Sequence, residues 1–146
     1  MKRRSLLQSL PAAALLPGAV WAASSQDKSG SGISSTMVYE LRIYKAHEGK
    51  LDDLLRRFRE HTLKLFEKHG MKTMAFWTLT DEPLKSNTLV YILVHPSRAA
   101  ATANWKAFQA DPEWKAVRDK SELNGPLVEK VDSTFLVLAD FSPTLA

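Results

Sequence analysis

The residue types with the most chemistry in them fall on two short, strand-like stretches. In Val38 to Tyr44 (V-Y-E-L-R-I-Y) strict alternation puts Tyr39, Leu41 and Ile43 on one side and Glu40, Arg42 and Tyr44 on the other. Tyr91 and His95 share a side of Leu89 to His95 with Leu89 and Leu93. If those sides coincide, a carboxylate, a guanidinium, two phenols and an imidazole converge. Such a group could bind a small polar or anionic ligand, with Arg42 as the charge anchor. It could equally be a buried Glu40–Arg42 pair fixing the register of a dimer, because charges inside an interface need partners whether or not a ligand exists. The dimer seam is taken as the first reading and the ligand pocket as the second.

His61 lies three residues after Phe58 and four before Leu65, on the apolar stripe of the next segment. It is expected to face a space between helix and sheet, with Trp77 as a second candidate for that space. The first reading of His61 is a hydrogen-bonded core histidine, and the second is a general base or haem ligand. Trp77, Trp105 and Trp114 read as core anchors. His47 and His69 have no partner at metal-ligand spacing. The sequence has no H-E-x-x-H, no Gly-rich phosphate loop and no G-x-S-x-G. No metal site, no catalytic set and no cofactor beyond the haem option at His61 emerges.

These residues must be positioned by a chain of 146 residues, enough for one domain and a leader. A hydrophobic share of 45% and a charged share of 25% suit a globular protein. The formal charge of +4 falls to +1 once Lys2, Arg3 and Arg4 are set aside, so nucleic acid is not an expected partner. Cysteine is absent, which excludes disulfides and thiolate chemistry. Residues 1–22 have the three parts of an export signal: Lys2-Arg3-Arg4, an apolar Leu6 to Val20, and the small-residue site ending at Ala22. Arg3-Arg4-Ser5-Leu6-Leu7 resembles a twin-arginine signal, the apolar part is too short to span a bilayer, and a periplasmic or secreted mature protein is expected. Residues 23–36 read as a flexible Ser/Gly-rich linker, 37–143 as the folded domain and 144–146 as a tail.

Within the domain a helix is expected over about Lys50 to Lys68, with Asp52–Arg56 and Asp53–Arg57 as pairs along its solvated face. Strands are expected over Met71 to Thr78, Leu89 to His95 and Val131 to Phe141. Helices start at Ser97 and at Asp111-Pro112. Strand, helix, strand, strand, helix, strand is the ferredoxin-like plan, an α+β fold with a four-stranded antiparallel sheet and helices on one face. Leu89 to Val94 and Phe135 to Phe141 are apolar on both sides, so the second face needs cover too. The expectation is a homodimer with sheets face to face, Tyr39, Leu41 and Ile43 under the helices and Glu40, Arg42 and Tyr44 between the chains.

M-V-Y-E-L-R-I-Y at 37–44, G-K-L at 49–51, F-W-T at 76–78, A-D-P-E-W at 110–114 and F-S-P at 141–143 together resemble the NIPSNAP family. The resemblance spans Met37 to about Pro143 and implies a dimeric α/β barrel. It brings no agreed catalytic set, and Tyr91 and Leu93 stand where many members carry His and Trp. The expected role is an exported, non-catalytic, homodimeric small-ligand-binding or interaction module. The alternative is a dimeric α/β-barrel enzyme (a cofactor-free monooxygenase, an isomerase or a haem-dependent protein) using a pocket between helix and sheet.

Overall fold

The computed structural model describes residues 37–143 and 145, so the leader, its cleavage site and the linker lie outside the described residues. Four strands form one antiparallel sheet: β1 (Val38–Ala46), β2 (Lys72–Thr78), β3 (Thr88–His95) and β4 (Val128–Leu136), in the order β2-β3-β1-β4. β1 and β3 are therefore central, which accounts for the unbroken apolar run of β3. In their register Arg42 stands opposite Tyr91, and Glu40 opposite Leu93. On its other side β1 pairs with β4, placing Ser133 opposite Arg42 and Leu136 opposite Tyr39. β4 therefore begins and ends earlier than the expected Val131 to Phe141. Only Val38 precedes Tyr39 in β1, so residues beyond Leu136 have no ladder to join.

The helix expected over 50–68 forms, but not as one regular element. α1 (Leu51–Arg57) and α2 (Leu63–Lys68) are joined through a π turn at Phe58–Thr62. A π turn carries about one residue more per hydrogen-bonded turn, so Thr62 rather than His61 follows Phe58 onto the inward side. The helix stops at Gly70, whose φ of 69° suits glycine. The Gly70 N–H donates to the Glu67 carbonyl at 3.0 Å and the Met71 N–H to the Phe66 carbonyl at 2.9 Å, closing the helix end. Neither expected i,i+4 pair forms among the described residues, because Arg56 bonds Asp53 and Arg57 turns towards Glu122.

α3 (Arg98–Ala110) starts on Ser97, whose hydroxyl accepts from the Ala100 N–H at 3.1 Å. Asp111 then ends α3 and caps α4 (Pro112–Ser121) by accepting from the Glu113 N–H at 2.8 Å, with Pro112 in the first turn. The same carboxylate meets Lys68 Nζ at 2.8 Å and His69 Nε2 at 2.6 Å, so one residue ties three helix ends together. Lys68 first, then His69, holds the Asp111 carboxyl well below the usual carboxylate range. Leu54, Phe58, Leu65, Phe66 and Phe108 bury the inward sides of the helices against Leu89, Tyr91 and Leu93. Each such side chain stabilises the fold by roughly 1.5–3 kcal/mol.

Candidate functional site

The polar strip of β1 lies on the helix side of the sheet. This corrects the expectation that Glu40, Arg42 and Tyr44 face a second chain while Tyr39, Leu41 and Ile43 pack under the helices. Trp105 of α3 donates its indole N–H to Glu40 at 2.7 Å, and the Arg42 guanidinium lies 4.2 Å from the centre of that ring. The Tyr44 and Phe58 rings meet edge-on at 5.8 Å. Tyr44 and Ala46 share the Glu40 face, and an aromatic and a buried methyl there outweigh two charges that can satisfy each other.

The expected convergence does occur, on this inner side. Glu40 Oε1 accepts from Arg42 Nη1 at 2.6 Å and from the Ser133 hydroxyl at 2.7 Å. Oε2 accepts from Trp105 Nε1 at 2.7 Å and from His95 Nε2 at 3.0 Å. Burial opposes ionisation of Glu40 most strongly, but the bonds from His95, Trp105, Ser133 and Arg42 together lower its pKa to about 2. Arg42 Nη2 also donates to the Tyr44 hydroxyl at 3.3 Å. Trp105 and Ser133 are members that sequence reasoning missed. The need of a half-buried indole N–H for an acceptor was the available signal for the first.

Beside this cluster stands Tyr91, wholly buried among the rings of Tyr44, Phe58, Phe66 and Phe76. Burial first, then the Tyr44 phenol, raises its pKa well above the usual phenol range, so it stays a neutral hydroxyl. The Tyr91 hydroxyl, His95 Nδ1 and Arg42 Nε are buried without a hydrogen-bond partner. The arrangement holds charge inside the fold, with aromatic rings packed round the neighbouring Tyr91.

His61 and Trp77 are not in the space between helix and sheet. The π turn leaves His61 exposed, towards α4. Trp77 follows Phe76 on a strand whose residues alternate, and Phe76 stacks on Tyr91 at 5.2 Å, so Trp77 points to the opposite face and is 45% exposed. A small cleft of about 220 Å³ between α1 and the sheet edge is lined instead by Leu55, Phe58, Arg59, Leu63, Phe76 and Leu89. Trp105 and Trp114 do pack against the core. Among the described residues no cluster of three His, Asp or Glu side chains is placed to hold a metal ion, and no helix is long and apolar enough to cross a membrane.

The opposite face of the sheet is a different surface. Tyr39, Leu41, Ile43, Val90, Ile92 and Trp77 alternate onto it, and no helix among the described residues covers it. Ile43 is 36% exposed. Just beyond β4, Val137, Leu138 and Phe141 are exposed apolar residues, Phe141 at 88%. They border a depression of about 330 Å³ over Tyr39, Met74 and Ile92.

Known proteins place this geometry in context. The NIPSNAP family model matches residues 39–143. A NIPSNAP-like domain protein from Burkholderia xenovorans superposes with a TM-score of 0.65 at 19% identity, covering 77% of this chain and 93% of that one. A second NIPSNAP domain protein from Burkholderia xenovorans gives 0.62 at 24% identity, over 73% and 99%. A NIPSNAP family protein with unknown function from Agrobacterium tumefaciens gives 0.65 at 20% identity, over 77% and 96%. At these identities the solved structures speak to the fold alone. No curated protein matches the chain.

Proposed function

The chain belongs to the NIPSNAP family, and on that premise we propose that it acts as an exported homodimeric binding or interaction module whose two copies meet through the open faces of their sheets. The observation that carries this is the apolar face that no helix covers: Tyr39, Leu41, Ile43, Val90, Ile92 and Trp77 form one continuous surface across three strands, half-buried at Tyr39, Leu41, Val90 and Ile92 and open at Ile43 and Trp77. A surface of that kind is a recognition surface in a soluble protein. A two-fold partner covers it with the same residues, self-complementary by symmetry. Asp132 of the edge strand stands beside Ile43 in the ladder and Lys45 follows Ile43 along β1, so charge borders the patch at this end.

A catalytic role would need room for a substrate beside Tyr91 and His95. Phe58, Phe66, Phe76 and Tyr44 fill the space round Tyr91, which favours binding over turnover. Export rests on the composition of residues 1–22. Light scattering on the purified mature protein at micromolar concentration tests the dimer: twice the chain mass is expected, and a single-chain mass contradicts it. N-terminal sequencing of protein from an exporting host tests the leader. A start at Ala23 or Ser24 is expected, and retention of Met1 contradicts cleavage.

A further inference from the structure

The helix that buries Phe58 turns its other side towards α4, and a cleft of about 490 Å³ opens between the two. Arg57 lines it and is 5% exposed. Its Nη1 donates to the Ser121 hydroxyl at 3.1 Å and to Glu122 Oε1 at 2.9 Å, and its guanidinium lies 5.2 Å from the Trp114 ring. Its Nε is buried with no partner. A buried guanidinium with an uncommitted N–H is rare enough to require an explanation.

The rest of the lining supplies a charge imbalance. Lys50, Arg56, Arg57 and Lys120 contribute positive charge, against Asp53 and Glu60. Arg56 is already committed to Asp53, and Lys50 donates to the Asn124 carbonyl at 3.2 Å, linking the two sides. Glu60 lies 3.9 Å from His61, and Glu122, outside the lining, takes one bond from Arg57. Lys120 has no carboxylate partner among the described residues. The lining therefore carries two more cations than anions, in a domain whose charge beyond the leader is near neutral. The π turn presents His61 to the cleft rather than to the core. Ala116 and Val117 supply an apolar wall.

We propose that this cleft binds a small organic oxyanion, a carboxylate or a phosphate monoester, with Arg57 and Lys120 as its charge anchors and Ala116 and Val117 against its apolar body. An oxyanion offers acceptors to the Lys120 ammonium and to the Arg57 Nη2, which has no hydrogen-bond partner among the described residues and, unlike Nε, is not sealed from the cleft. The cleft volume suits a molecule of one ring or a short chain. The site rests on the reading of the chain as a binding module but not on the dimer. A dimer that binds no oxyanion loses this site alone, and a monomer that binds one loses the dimer alone.

The test is a ¹H–¹⁵N NMR titration of the mature protein with phenyl phosphate, benzoate and the neutral benzyl alcohol. Saturable shifts confined to α1 and α4 are expected with at least one of the two anions, and none with the alcohol. The tighter of the two identifies the headgroup class. Lys120→Ala, at an exposed position, should weaken binding about threefold to fivefold with an unchanged thermal midpoint. Arg57→Lys, checked for an intact fold by the same spectrum, should weaken it further, because lysine keeps the charge but not the planar fork. Absence of saturation by either anion up to about 10 mM, equal shifts with benzyl alcohol, or wild-type affinity in Lys120→Ala would overturn the proposal.

Discussion

The two faces of the one sheet invert the usual distribution of charge. The inner face carries Glu40, Arg42, Tyr91 and His95, the outer one Tyr39, Leu41, Ile43, Val90 and Ile92. The inner polar groups are tolerated because one carboxylate collects four donors and the indole of Trp105 roofs the guanidinium. The outer apolar groups have no such internal account among the described residues. Buried charge is thus weak evidence for a functional site when its partners are all at hand. An uncovered apolar face is stronger evidence for a partner.

The largest expected effect is on the inner face. Glu40→Ala strands Arg42, Trp105, Ser133 and His95, and should cost about 3–5 kcal/mol in urea unfolding. A loss under about 1 kcal/mol would show that the carboxylate does not organise the layer. The next effect is of pH. The folded pKa of Glu40, about 2, lies below its ordinary 4.5, so its contribution is complete above about pH 4.5 and is lost as pH falls towards 2. That contribution is on the order of 3 kcal/mol, and Glu40→Gln should make the acid limb shallower in unfolding curves taken between pH 6 and about 2.5, leaving the part that Asp111 contributes. An unchanged limb in the variant would assign it elsewhere.

On the outer face, Leu41→Asp should raise the dimer dissociation constant by roughly thirtyfold to a hundredfold, about 2–3 kcal/mol, while leaving the monomer folded by circular dichroism. Equal dimer affinity would remove that face from the interface. The smallest effect returns to the inner face. Tyr91→Phe removes a hydroxyl that has no partner, so unfolding should change by less than about 1 kcal/mol in either direction. A loss above about 2 kcal/mol would show that the hydroxyl is bonded after all.

Alternation along Val38 to Tyr44 revealed two faces, and the order of elements revealed the ferredoxin-like sheet. Which face turned inward was harder to read, because period-two patterning separates faces without signing them. Charge argued for the outside; Tyr44 and Ala46, on the same side as Glu40, argued for the inside and prevailed. His61 was misplaced because nothing in F-R-E-H-T announces a π turn. Trp77 was misplaced because adjacent residues on a strand cannot both face the helices, and Phe76 holds the inner position. The pairing of Arg57 with Glu122 is a contact across 65 residues, beyond the reach of local spacing.

Sedimentation velocity across a dilution series of the wild type, Leu41→Asp and Arg42→Leu tests the division of the two faces most directly. The wild type and any folded fraction of Arg42→Leu should sediment as dimers, and Leu41→Asp as a folded monomer. A wild-type monomer, or a dimer that Arg42→Leu dissolves and Leu41→Asp leaves intact, would contradict it.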